Sequence, residues 1–307
     1  MECVGKVRLD LSDYEGRDLY SDGDVEDELL EIVTDYEQEA YDEVIKERPS
    51  WPVLYHLSGQ RENILSWYPF AKTDSVLEIG AGCGAVTGAL LDRAGSVTAV
   101  ELSKRRSMIN ATRHKNSENL EIKVGNFNTV EQHLTEQYDY VTLIGVFEYA
   151  KVYMGCENPY HVFLDKINPH LKEGGKILIA IENRMGLKYF AGCREDHVGM
   201  YFEGIEDYPN TDGVHTFSKK ELEQLFDDAG YLKRKFYYPY PDYKFPTTIY
   251  SDEYLPQYGE LYRNIRNFDG DRWVLFDETR AFDGILKAGL FDQFSNSFFI
   301  ELEKKVV

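Results

Sequence analysis

The stretch Val76-Leu77-Glu78-Ile79-Gly80-Ala81-Gly82-Cys83-Gly84-Ala85 constrains this chain more than any other. An apolar run stops at three glycines spaced by single residues, and Val86, Ala89 and Leu90 then recur at helical spacing. That order is strand, tight turn, helix: the opening of a βα unit whose glycines let a nucleotide-like ligand lie on bare backbone. The alternation continues downstream. Apolar runs at Ser96–Glu101, Leu120–Val124, Asp139–Ile144 and Lys176–Ile181 are separated by helical stretches at 103–114, near 130–134 and at 160–171. Near-continuous apolar strands alternating with helices predict a doubly wound parallel α/β sheet covered on both faces.

Around that core the chain divides into a cap and a main domain. In the first 70 residues, Val25, Leu29, Ile32, Val33, Tyr36, Ala40 and Val44 fall on one face of an amphipathic helix whose acidic residues form the solvated side. This helix caps the core or, with the Tyr20-Ser21-Asp22-Gly23 turn before it, closes over a ligand. Pro49-Ser50-Trp51-Pro52 breaks it, and Ser58 is placed to cap a short helix carrying Ile64, Leu65 and Tyr68. The main domain spans 71–307 and carries two excursions without clear period, 183–217 and 239–296, of the length that usually serves function. Between them lie a capping box at Ser218 and Glu221, a helix, and a strand at Tyr231–Tyr238; Phe298–Leu302 is a final strand.

Composition sets the outer limits. The formal net charge of −20 over 307 residues argues against nucleic acid and anionic membranes as partners. No apolar run approaches the roughly 20 residues of a membrane span, and the N-terminus lacks a signal-peptide core. Cys3, Cys83, Cys156 and Cys193 show no metal-ligand spacing, so the expectation is reduced thiols, a cytoplasmic protein and no metal. The tyrosines, concentrated in the second half, suit either a second core or a carbohydrate-binding surface.

Two ligands fit the glycine turn. Gly80-x-Gly82-x-x-Ala85 satisfies a dinucleotide fingerprint, with Glu101 at the offset of a ribose-binding acid. The fuller pattern, Glu78-x-Gly80-x-Gly82-x-Gly84, resembles the first motif of class I S-adenosylmethionine-dependent methyltransferases. A carboxylate there suits a ligand with an ammonium and a sulfonium; a pyrophosphate would prefer backbone N–H groups alone. The resemblance covers roughly residues 55 to 235. Glu101, with Leu102 beside it, ends the strand where the family grips the ribose. Asn126 and Phe127 follow the next strand, near the adenine. Gly145 ends the Tyr138-Asp139-Tyr140-Val141 strand, facing the methyl group, and Leu171-Lys172-Glu173-Gly174-Gly175-Lys176 resembles the family's later turn. The resemblance implies a Rossmann-like, doubly wound, seven-stranded and mostly parallel sheet with its last strand antiparallel, an N-terminal helical cap and insertions after strands five and six. It implies S-adenosyl-L-methionine as cofactor, held by Glu78, Gly80, Ala81, Gly82, Gly84, Glu101, Leu102, Asn126, Phe127 and Gly145.

The acceptor side falls to strand ends and excursions. Glu148, Glu182, His197 and His215 are the catalytic candidates; His197 follows Glu195 and Asp196, which can orient it and raise its pKa. Asn183, Arg184, Lys188, Arg194 and Tyr201 are the acceptor-binding candidates, the cations serving an anionic acceptor or merely balancing an acidic surface. A narrower similarity covers Glu182–Gly192, Arg194–His197, Phe202–Glu206 and Tyr238–Pro246, with Tyr20-Ser21-Asp22-Gly23 and Trp67-Tyr68-Pro69-Phe70 further upstream. These resemble bacterial methyltransferases encoded with, or fused to, glycosyltransferases of surface-polysaccharide assembly. The implied acceptor is a sugar or sugar phosphate in a glycan or its precursor, with a glycosyltransferase as partner. Methylation of a small metabolite, natural product or peptide is the next alternative, followed by an NAD-dependent enzyme and an inactive binding protein. Oligomeric state is not legible.

Overall fold

Ten strands, not seven, make the sheet, in the order β1-β2-β5-β4-β3-β6-β7-β10-β8-β9. The computed structural model describes residues 2–18, 20–264 and 270–305. The strands are β1 (Glu2–Val4), β2 (Val7–Asp10), β3 (Ser75–Ile79), β4 (Ser96–Glu101), β5 (Leu120–Val124), β6 (Tyr138–Ile144), β7 (Leu171–Glu182), β8 (Arg234–Tyr240), β9 (Thr248–Ser251) and β10 (Ser297–Glu303). Seven of them follow the expected alternation. The other three are β1 and β2 at one edge and β9 at the other, so the seven-stranded expectation is corrected at both edges. The chain divides into two compact units, 1–143 with 166–176, and 144–165 with 177–307.

In the first unit β3 pairs in parallel with β4 and β6, and β4 with β5. The N-terminus departs from a purely helical cap. Residues 2–10 form a hairpin, and β2 runs parallel to β5, with Arg8 opposite Glu121 and their side chains 2.7 Å apart. Val7 and Leu9 are fully buried while Arg8 is exposed, a period-2 signal too short to stand out among charges. Pairing here covers an edge that β5 would otherwise expose. The single cap helix is in fact two, Val25–Asp35 and Tyr41–Glu47, parted where Tyr36 turns extended. Both press apolar residues into one cluster of Leu29, Ile32, Val33, Tyr41, Val44, Val53, Leu57 and Ile109. The Trp51–Leu57 helix begins where the proline pair predicts a break: Ser50 caps it, accepting from Val53 N–H at 3.4 Å, and Pro52 sits in its first turn.

In the second unit β8 is antiparallel to both β10 and β9. The capping box forms as read: Ser218 and Glu221 open the Lys219–Asp228 helix. The second excursion folds into β9 and a helix at Glu278–Ala288; its residues 265–269 lie outside the described residues. Some of its aromatics build a core, while Tyr254, Tyr258, Tyr262, Trp273 and Phe276 are exposed. Tyr238, Tyr240, Tyr243 and Tyr250 are buried, and Tyr238 meets Phe291 and Phe298 edge-on while Tyr240 meets Phe282. All four cysteines are unpaired. Among the described residues no helix is long and apolar enough to cross a membrane.

Candidate functional site

The glycine turn after β3 is built as its sequence requires. Gly80, Gly82 and Gly84 have φ of 73°, 54° and 79°, a region costly for any residue with a Cβ. A Cβ on Gly84 would lie 2.4 Å from Asn110 Oδ1. Gly80 and Ala81 donate to the Val100 carbonyl at 2.8 and 3.2 Å, tying the turn to β4. Glu101, buried at the end of β4, accepts from Gly82 N–H at 2.8 Å through one oxygen and from Ser103 N–H at 2.9 Å through the other. A carboxylate with two such bonds retains lone pairs for further donors.

Glu78 is 2 % exposed, and Thr87 donates to one of its oxygens at 2.8 Å. Asn110 in turn donates to Thr87 at 3.2 Å, and His114 Nδ1 lies 2.9 Å from Asn110 Oδ1. The other oxygen of Glu78 has no hydrogen-bond partner. Burial pushes its pKa up to about 8, Thr87 opposing the shift and Glu101 adding to it. The unfolded carboxyl loses its proton near 4.5 while the folded one keeps it to about 8, so stability falls as pH rises between these values. Glu78→Gln is therefore expected to stabilise the ligand-free protein at pH 8, by up to roughly 4 kcal/mol, and to change little at pH 4. Urea unfolding of both proteins at the two pH values checks this; an equal decline with pH in the variant would clear Glu78 of the effect.

Several groups at the turn carry no sequence signal. Arg106, from the Lys104–Arg113 helix, brings its guanidinium within 3.1 Å of where a Gly82 Cβ would stand. Burial opposes its charge, but Glu101, Cys83 and Asp22 raise its pKa and keep it cationic. The N-terminal segment runs over this place. Tyr20 lies under the Arg106 guanidinium at 4.9 Å, Asp22 sits 3.7 Å from Arg106 and 3.3 Å from His56, and Asp18 accepts from Lys104 N–H at 2.7 Å. Leu102 is half-buried; Asn126 caps the Phe127–Val130 helix by accepting from Asn128 N–H at 2.9 Å, and Phe127 is buried.

In the second unit, Gly145 (φ 69°) follows β6, and its Cβ would meet the Tyr243 hydroxyl at 2.7 Å. Glu148 and Glu182, 1 % and 0 % exposed, flank His197: Nε2 lies 3.4 Å from Glu148 Oε1 and 3.8 Å from Glu182 Oε2. Glu195 takes the opposite ring nitrogen at 3.0 Å and is itself held by the N–H groups of His197 and Val198. Burial disfavours the imidazolium, yet Glu182, Glu148 and Glu195 together hold the His197 pKa well above the ordinary value. Burial also pushes the Glu148 carboxyl pKa up, with His197 opposing the shift and Glu182 adding to it. Tyr149 meets the His197 ring edge-on.

The remaining candidates are placed apart. Asn183, fully buried, donates to the Gln293 and Ser295 carbonyls. Arg184 forms a two-pronged pair with Glu221. Lys188 bridges Asp196 and Asp242 at 2.9 and 2.6 Å, while Lys244, which no motif singled out, bridges Asp196 and Glu182. His215 packs its ring on Tyr208 and Phe217, and its backbone N–H donates to the Glu148 carbonyl. Arg194 stacks on Tyr201, which stacks on Trp273 at 4.1 Å.

A family model described as a methyltransferase domain matches residues 55–233, more than half the chain. The chain belongs to this family: it is a methyltransferase, its methyl donor is S-adenosyl-L-methionine, and the dinucleotide alternative falls away. Comparison with curated proteins returns no match. Among solved structures, the chain is similar to an S-adenosylmethionine-dependent methyltransferase from Archaeoglobus fulgidus, with 14% identity, 81% of this chain and 96% of that one covered, and a TM-score of 0.49. One from Methanosarcina mazei shares 13% identity over 78% and 97% of the chains, with a TM-score of 0.45. Phosphoethanolamine N-methyltransferase 2 of Haemonchus contortus, in complex with S-adenosyl-L-methionine, shares 15% over 80% and 52%, with a TM-score of 0.46.

The first unit's turn fits that donor. The unpartnered Glu78 oxygen suits an ammonium, and Glu101 has lone pairs for hydroxyls.

Proposed function

We propose that the chain methylates a hydroxyl oxygen of a sugar in a glycan or glycan precursor, built in the cytoplasm with a glycosyltransferase partner. The glycine turn, Glu78 and Glu101 hold the donor, and Glu148, Glu182 and His197 receive the acceptor. The observation that carries this reading is the buried cluster of two carboxyls and an imidazole ring, in which both oxygens of Glu148 and one of Glu182 accept no hydrogen bond. Buried polar atoms left open in this way are matched to a ligand's donors, and hydroxyls are such donors.

The charge balance favours a neutral acceptor over a sugar phosphate. Lys188 and Lys244 are each already bridged between two carboxylates, and Arg184 is engaged by Glu221. When bound, S-adenosyl-L-methionine would supply a methyl carbon already activated by its sulfonium: the O–CH3 bond would form as the S–CH3 bond breaks, the electron pair staying on sulfur and the hydroxyl proton passing to an open carboxylate oxygen of the cluster. The residues around the acceptor orient the oxygen and exclude water.

Incubating the protein with S-adenosyl-L-methionine and a panel of sugars, nucleotide sugars, sugar phosphates and oligosaccharides, with mass spectrometry of products, tests this. The expected result is one added methyl group on a sugar hydroxyl, lost in Glu148→Gln. Turnover on a peptide or amine with none on any sugar would overturn it.

A further inference from the structure

We propose that Glu148, Glu182 and His197 form a binding site for a divalent cation of the Mg2+ or Mn2+ class. One carboxylate oxygen of each glutamate and one ring nitrogen of His197 lie within 4.8 Å of one another. The nitrogen stands 3.4 and 3.8 Å from the two oxygens. Ligands at about 2.1–2.3 Å from a common ion are separated by roughly 3–3.5 Å at adjacent coordination positions. The two nitrogen–oxygen separations are within a few tenths of an ångström of that spacing.

Three independent features point to such an occupant. The two carboxylates are buried, yet Glu148 Oε1, Glu148 Oε2 and Glu182 Oε2 accept no hydrogen bond, and buried oxygens left open in this way are matched to a ligand. The surroundings orient the ligand atoms as metal sites do. Glu195 takes His197 Nδ1, so Nε2 is the atom turned to the acids, and Lys244 holds Glu182 Oε1, so Oε2 is the oxygen left over. Finally, among the described residues five carboxylates, Glu148, Glu182, Glu195, Asp196 and Asp242, are gathered around His197, Lys188 and Lys244. Two carboxylates and one imidazole, without thiolate, suit a hard or borderline ion that keeps open positions.

The site stands on this geometry alone; its role rests on the acceptor reading above. Open positions on the cation would take the acceptor's oxygens, and adjacent hydroxyls of a sugar suit two such positions. Coordination lowers the pKa of a bound O–H, whose proton passes to solvent water. This supplies activation of the hydroxyl at the site itself.

Titration of metal-stripped protein with Mn2+, following free Mn2+ by electron paramagnetic resonance, tests the site. One saturable site per chain is expected. Glu148→Gln and Glu182→Gln should each weaken it at least tenfold, while Glu278→Gln, at another buried carboxylate paired with Arg272, leaves it unchanged. Circular dichroism establishes folding of each variant. Should Glu182→Gln fail to fold, the isosteric Glu148→Gln decides. No saturable Mn2+ binding, or unchanged binding in Glu148→Gln, overturns the proposal. Calorimetry with S-adenosyl-L-methionine and turnover in chelator separate the two readings. Turnover on a sugar undiminished by chelator removes the cation and leaves the sugar acceptor. Mn2+ binding without methylation of any sugar leaves the cation and removes that acceptor.

Discussion

Glu101→Ala is expected to weaken S-adenosyl-L-methionine binding by more than a hundredfold and to destabilise the ligand-free protein by about 2–4 kcal/mol. Both effects have one origin. The carboxylate is the acceptor for Gly82 N–H and Ser103 N–H, so its loss orphans two backbone donors at the turn. It is also the strongest of the charges that keep Arg106 cationic against burial, so its loss leaves a buried guanidinium with only Asp22 and Glu26 at 3.7 and 3.9 Å. The turn then has neither its anchor nor its ribose acceptor. Glu101→Gln preserves shape but presents one acceptor where the carboxylate presents two, and should fall between wild type and alanine. Calorimetric titration with the donor and urea unfolding read the two effects separately. Wild-type affinity in Glu101→Ala would mean that another group grips the ribose.

Asp196→Ala is expected to cost about 3–5 kcal/mol, the largest stability loss among the residues discussed. Asp196 is the shared partner of Lys188 and Lys244 and accepts from the Tyr189 hydroxyl at 2.5 Å. Those cations hold its pKa well below the ordinary carboxylate value against the opposing effect of burial. Removing it leaves two buried ammonium groups facing each other across an empty position, with Asp242 and Glu182 to divide between them. Donor binding at 25 °C should survive in the folded fraction, because the glycine turn lies in a different part of the chain. Chemical denaturation with an S-adenosyl-L-methionine titration alongside checks both halves; a loss below 1 kcal/mol would show that the lysines find other partners.

The turn was legible because its physics is local. Three glycines at φ > 0, an acid two residues ahead of them and an acid ending the next strand are a short-range pattern, and the structure keeps each where the pattern puts it. The alternation of β3 to β7 is likewise a matter of neighbouring residues. The errors lay where local signals were weak or shared. Val7 and Leu9 alternate over only four residues, so β2 was hidden, and the cap helix was read through a break that no proline marks.

The cluster of Glu148, Glu182 and His197 was legible only as a set of names: strand ends and neighbouring residues single the three out, but not the enclosure of one ring by three carboxylates. Thr87, Asn110 and Arg106 had no signal at all, and Lys244 none beyond its place in the Tyr238–Pro246 similarity, since what makes them matter is a partner distant in sequence. By itself, then, the sequence determined the strand–turn–helix that names the methyl donor, because backbone conformation and side-chain periodicity are decided over a few residues. Which buried charges share partners, and which oxygens are left without one, only the tertiary structure decided, because desolvation and pairing depend on what folding brings together.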